Sequence, residues 1–143
     1  MKKICLSLLL IYLIVCHSTV FAQTDTTENI IDVQLNQCLD SAQNSTTYGT
    51  TGCQVRARDA WDSALNKYYN LLIKTLSKDE KEKLKAAQKK WLAFRDSEAM
   101  FSSTIYSNMQ GTMWGIAKVQ SDAALIKHRA LELQAYYSDK APK

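Results

Sequence analysis

The stretch Ala86-Ala87-Gln88-Lys89-Lys90-Trp91-Leu92-Ala93-Phe94-Arg95-Asp96 sets the expectation for the fold. At helical spacing Leu84, Ala87, Gln88, Trp91, Phe94, Arg95 and Glu98 share one face, while Lys83, Lys85, Lys89 and Lys90 lie largely on the other. This predicts an amphipathic helix with a buried tryptophan. The buried row is mixed, because Gln88, Trp91, Arg95 and Glu98 follow one another by threes and fours. A guanidinium beside an apolar stripe must be paired, stacked, or carried to water along its stem. Arg95 is therefore expected to stack on Trp91, for roughly 0.5 to 2 kcal/mol. Its donors should go to Glu98 or to a carboxylate of a neighbouring helix, as an ion pair locking helix to helix. The competing role is a partner-binding arginine.

On the N-terminal side, Ser77-Lys78-Asp79-Glu80 fits a capping box, with Ser77 as N-cap and Glu80 reaching back. The helix should run from Lys78 to near Tyr106. Before it, Val55, Trp61, Leu65, Tyr68, Leu72 and Leu76 advance mostly by threes and fours, predicting a helix from about Gly52 to Thr75. Helices linked so tightly run antiparallel. After it, the segment Ser107 to Gly115 holds two of the four glycines and reads as a turn. A last helix should occupy about Thr112 to Tyr137, with Ile116, Val119, Ala123, Ile126 and Leu131 on its stripe. At the other end, a short helix from Glu28 to about Ala42 points Cys38 inward. Gln43 to Gly52, all Asn, Gln, Ser, Thr, Tyr and Gly, reads as a loop. The fold class is thus all-α: an antiparallel bundle of about four helices, two or three of them long, with one disulfide. It should span residues 29–137, ahead of a disordered tail at 138–143.

The segment Trp61-Asp62-Ser63-Ala64-Leu65-Asn66-Lys67-Tyr68-Tyr69, then Ala87-Gln88, Trp91 and Phe94-Arg95-Asp96, resembles the lysozyme inhibitor LprI N-terminal family of small secreted helical proteins of bacteria. The pattern is an Asp-x-x-Leu-Asn-x-x-Tyr helix followed by an Ala-Gln-x-x-Trp-x-x-aromatic-Arg-Asp helix. It extends over about Cys38 to Tyr137. The resemblance marks Trp61, Asn66, Tyr69, Gln88, Trp91, Arg95 and Asp96 as the structural motif. It further implies that Ala99 and Ser121, where relatives carry bonded cysteines, lie side by side between the last two helices.

The N-terminus reads as an address. Lys2 and Lys3 precede an apolar run from Ile4 to Cys16, and Val20-Phe21-Ala22 suits a signal peptidase. The expectation is a signal peptide at 1–22, cleaved after Ala22, and a flexible tether at 23–28. The run falls short of the roughly 20 apolar residues of a spanning helix, so the mature protein should hold no transmembrane segment. The alternative is a lipoprotein anchored at Cys16, disfavoured by the bulky Val15 where such signals want a small residue. Export places the protein in the periplasm or outside the cell, where Cys38 and Cys53 are best read as one disulfide, worth roughly 3 kcal/mol by loop entropy.

Charge and chemistry narrow the function. Cleavage removes two of 18 basic residues and none of 14 acidic ones, leaving a net charge of +2. That is too weak and dispersed for nucleic acid. The cluster Lys78, Lys81, Lys83, Lys85, Lys89 and Lys90 interleaves with Asp79, Glu80 and Glu82 and reads as a solvated face. With His17 lost, His128 stands alone, so no metal site is expected. Ser121 and His128 lie seven residues apart on one helix, about 10 Å along its axis, too far for a catalytic pair. Asp62, Asp96, Glu98 and Asp122 could pair as in glycosidases, but small bundles rarely leave the cleft, and Arg95, Lys127 and Arg129 stand ready to neutralise them. No catalytic residue, cofactor or metal is expected.

Binding remains. Met109, Met113 and Trp114 sit on a connection that should face solvent, an adaptable Met- and Trp-bearing contact. The packing alternative folds Met113 and Trp114 back to close the bundle end. Tyr48, in the disulfide-closed loop, is the other candidate contact. The resemblance implies inhibition of lysozyme or another peptidoglycan hydrolase by occluding its cleft. Against animal lysozymes, which are strongly cationic, a steered inhibitor would be acidic, whereas this chain is slightly basic. The alternatives are a cell-envelope adaptor or scaffold and a toxin-immunity protein, neither acting on lysozyme.

Overall fold

The computed structural model describes residues 29–141; the expected signal peptide, its cleavage point and residues 23–28 lie outside them. Four α-helices follow one another: α1 (Ile30–Asp40), α2 (Thr47–Thr75), α3 (Lys78–Ser107) and α4 (Met113–Lys140), with a 3-10 turn at Ala42–Asn44. No strand occurs among the described residues.

Local chemistry explains the boundaries. Asn29 caps α1, its Oδ1 accepting from the Ile31 amide at 3.0 Å. The capping box at Ser77 is complete: the Ser77 amide donates to Glu80 Oε2 at 2.8 Å, and the Glu80 amide donates to Ser77 Oγ at 3.4 Å. Two elements differ from the sequence reading. The segment 47–51, expected as loop, forms the first turns of α2, because Thr46 Oγ1 accepts from the Gly49 amide and Thr50 N–H donates to the Thr46 carbonyl at 2.8 Å. Thr47 and Tyr48 face solvent and Gly49 to Thr51 are small or polar, so these turns carry no apolar period. At the other end α4 runs to Lys140, three residues into the expected disordered tail.

The core is built between α2 and α4. Trp61, Leu65 and Leu72 of α2 meet Ile126, Ala130 and Leu133 of α4, all buried. Ala130 is fully enclosed, and its single methyl lets the two backbones approach closely. Leu84 and Trp91 of α3, with Ile31 of α1, pack against this cluster from outside. Consecutive long helices run antiparallel, so α2 and α4 run parallel. Thr47 lies 3.5 Å from Thr112, the Lys127 ammonium sits over the Trp61 ring, and Leu72 and Tyr136 line one hollow. The α2–α4 pair carries the largest interface, and α3 leans mainly on α4. Ala99 shares a hollow with Lys118, one helical turn from Ser121.

Cys38 and Cys53 form the disulfide, with Cα atoms 5.8 Å apart, pinning α1 to α2. Lys127 completes the attachment by pairing with Asp32 at 2.6 Å while covering Trp61 at 5.3 Å. One α4 side chain thereby ties α1 and α2 together.

Candidate functional site

Residues 41–55 and 99–117 contain no charged side chain. The fold brings these two segments to one end of the bundle. The Thr47–Thr112 hydroxyl contact joins the start of α2 to the start of α4, and the Tyr106 ring stacks on Trp114 at 6.1 Å, closing α3 onto the same end. Apolar side chains stay in solvent there: Tyr48 is 91% exposed, Met113 63%, Phe101 61% and Met109 40%. Ile105 and Met100 add to them. The turn that carries Met109 and Met113 depends on Gly111, whose φ of +104° an L side chain adopts only under strain.

The structure divides the expected contact residues. Met109, Met113 and Tyr48 point to solvent, whereas Trp114 is half-buried, stacked on Tyr106 and donating its Nε1–H to the Gln110 carbonyl at 2.9 Å. Tyr48 sits on the first turn of α2 rather than in a loop. Phe101 and Ile105 were not anticipated as exposed groups. Their signal was available in the long uncharged run around them.

The motif residues fall in two places. Trp61 is buried, Trp91 half-buried, and Tyr69 packs against the core. Asn66 is exposed and donates to the Asp62 carbonyl and carboxylate. Arg95 lies over Trp91 with 5.6 Å between guanidinium carbon and ring centre, as its position one turn on requires. Its ion pair, however, is with Asp96, through Nε at 3.0 Å and Nη2 at 2.7 Å. It locks no helix to another. Asp122 of α4 is held by Lys118 at 2.5 Å, within its own helix. Phe94, expected on the buried stripe, is 53% exposed, because the buried face of α3 turns toward Leu84, Gln88 and Trp91.

The polar lock between α3 and α4 lies elsewhere. Buried Arg129 donates from Nε to Oε1 of buried Gln88 at 3.1 Å and from Nη1 to Glu132 at 2.6 Å, and the Tyr136 hydroxyl donates to Glu132 at 3.1 Å. Partial burial works to raise the Glu132 pKa, but hydrogen bonds from Arg129 and Tyr136 hold it below the ordinary carboxylate value. Tyr136 is raised in turn by donating to that carboxylate. Three of the four carboxylates considered for a glycosidase-like pair are engaged: Asp62 with Asn66, Asp96 with Arg95 and Asp122 with Lys118, while Glu98 is half-buried on α3. No group of three or more metal-ligating side chains occurs among the described residues. Nor is any helix among them long and apolar enough to cross a membrane.

Fold and surface together define a class: a small, disulfide-clamped α-helical bundle with an uncharged, apolar end. The chain belongs to the lysozyme inhibitor LprI family, which matches it over residues 38–133. It is similar to the crystal structure of an uncharacterised protein from Burkholderia thailandensis, with a TM-score of 0.76 and 30% identity. That likeness covers 80% of this chain and 57% of the other, so the chain spans little more than half the length of that relative. No curated protein matches the chain.

Proposed function

We propose that this protein is an exported binding protein that inhibits lysozyme or a related peptidoglycan hydrolase, and that it does so through the uncharged end of the bundle. Family membership supports the inhibitor class. The observation that carries the choice of surface is that the two uncharged segments, joined by the Thr47–Thr112 and Tyr106–Trp114 contacts, hold Phe101, Ile105, Met109 and Met113 exposed, with Tyr48 at the margin. Interface centres are depleted in charge and enriched in aromatic residues and methionine. Desolvating such a surface costs little, because no ion has to leave water.

This placement also answers the mismatch between a basic chain and a cationic target. The lysines from Lys78 to Lys90 occupy the first half of α3. Lys90 is fifteen positions from Ile105, about 23 Å along a helix. The Debye length at physiological ionic strength is about 8 Å. Repulsion from that cluster is therefore screened at the proposed contact.

The purified mature protein added to lysozyme acting on cell walls tests the reading. Inhibition by the wild type and its loss in Met113→Glu and Ile105→Glu, with melting temperatures unchanged, is the expected pattern. Unimpeded hydrolysis at large molar excess removes lysozyme as the target, and undiminished inhibition by both variants removes the surface.

A further inference from the structure

Beside the uncharged end lies a hollow of about 440 Å³ between the 3-10 turn and the first turns of α2. Its wall is pre-formed. Gly49 meets Asn44 so closely that a Cβ there would come within 2.5 Å of the Asn44 Cα, and the Cys38–Cys53 bond fixes the segment at both ends. Asn44 is anchored besides, its Nδ2 donating to the Cys38 carbonyl at 2.9 Å.

The lining has a distinct chemistry. Gln43 offers an amide; Thr46 Oγ1 accepts from the Gly49 amide and keeps its proton to donate, and Thr51 Oγ1 donates to the Thr47 carbonyl and keeps its lone pairs to accept; Val55 adds an apolar side chain, and Tyr48 an aromatic ring held almost wholly in solvent. Arg56 is the single charge. Its Nη2 rests on the disulfide sulfurs, while Nη1 lies over Gly52, 3.5 Å from where a Cβ would stand, and no carboxylate pairs with it among the described residues. One guanidinium suits one carboxylate, and is too little for a polyphosphate. An acyl chain would have no use for the amide, the hydroxyls or the cation. An aromatic face beside neutral hydrogen-bonding groups matches a pyranose, which has an apolar C–H face and a polar rim.

We infer that this hollow binds a saccharide carrying an N-acetyl group and one carboxylate. The ring packs on Tyr48, the acetyl methyl against Val55, the sugar's hydroxyls and amide on Gln43 and Thr51, and the carboxylate on Arg56 Nη1. The site meets the Met109–Met113 contact only at Tyr48, on the margin of both, and does not depend on inhibition of any hydrolase.

The test titrates the full mature chain, without lysozyme, with the disaccharide of N-acetylglucosamine and N-acetylmuramic acid, and in parallel with diacetylchitobiose, which lacks the carboxylate. Calorimetry or amide chemical shifts give the dissociation constants. The carboxylated sugar should bind the wild type at least about tenfold more tightly than chitobiose, a difference of one charge-assisted contact. Tyr48→Ala should weaken both sugars at least about tenfold. Arg56→Gln should abolish the preference between them, and Met113→Glu should change nothing. Tyr48 is too exposed for its loss to unfold the chain, so that variant stands even if Arg56→Gln loosens the disulfide region. Absence of binding by the wild type up to about 10 mM, unaltered binding by Tyr48→Ala, or equal wild-type affinity for the two sugars overturns the inference. None of these results bears on the hydrolase reading.

Discussion

Arg129 of α4 donates from Nε to Gln88 of α3 across 3.1 Å, with both side chains buried, and this contact rather than the Arg95–Asp96 pair joins the two helices. Arg95 and Asp96 are chain neighbours, and their side chains remain substantially accessible.

The two arginines should therefore respond differently to truncation. Arg129→Ala leaves Gln88 Oε1 without its donor and Glu132 with the Tyr136 hydroxyl alone, and breaking a buried ionic contact costs about 3–5 kcal/mol. The partial exposure of Glu132 puts the expected loss at the lower end. Arg95→Ala removes an exposed pair and a stacked cation, together about 1 kcal/mol or less. Urea unfolding of the two variants measures the difference. Equal losses would return the interhelix role to Arg95.

Glycine supplies a second contrast within one helix. At Gly52 a Cβ meets only the flexible Arg56 guanidinium at 3.5 Å. Gly52→Ala should stabilise the protein by about 0.5–1 kcal/mol through helix propensity. At Gly49 the Cβ would enter the Asn44 backbone. Gly49→Ala should destabilise despite the same gain in propensity, and thermal melts should move in opposite directions.

Acid should loosen the junction of α2, α3 and the end of α4. The hydrogen bond from Lys140, followed by those from Ser77, holds the Glu80 pKa at about 2, below its ordinary 4.5. A depressed carboxylate contributes stability that is present above its unfolded value and is lost as pH falls through the folded one. The advantage of wild type over Glu80→Gln should thus be full above pH 4.5 and decline toward pH 2. Melting curves of both proteins across that window check it. A constant difference would mean that Glu80 acts through shape alone.

Much of the fold was legible because its signals are local. The Ser77–Glu80 capping box, the Trp61–Leu65–Leu72 stripe and the Gly111 turn each depend on neighbours in sequence. The first turns of α2 were not legible, because Thr46 caps, Thr47 faces solvent and Thr51 is polar, leaving no apolar period, and Gly49 is retained for its contact with Asn44. Arg129 is visible in the sequence only as a cation able to neutralise nearby acids. Its partner Gln88 lies 41 residues away, so nothing local marks it as buried, whereas Arg95 beside Trp91 offered a visible arrangement. Phe94 failed similarly, since spacing gives a face but not how much of that face a neighbour covers. The uncharged end was present in the sequence as two blank stretches, which acquire meaning only when Thr47 and Thr112 are known to touch.

Recognition by that end of the bundle is open to one direct test. The direct measurement is lysis of cell walls by lysozyme in the presence of wild type, Met113→Glu, and a variant with Lys83, Lys85, Lys89 and Lys90 changed to Gln. Inhibition abolished by the first change and retained by the second is the predicted result. Inhibition that survives Met113→Glu and disappears with the lysines would place the contact on α3's basic half and contradict it.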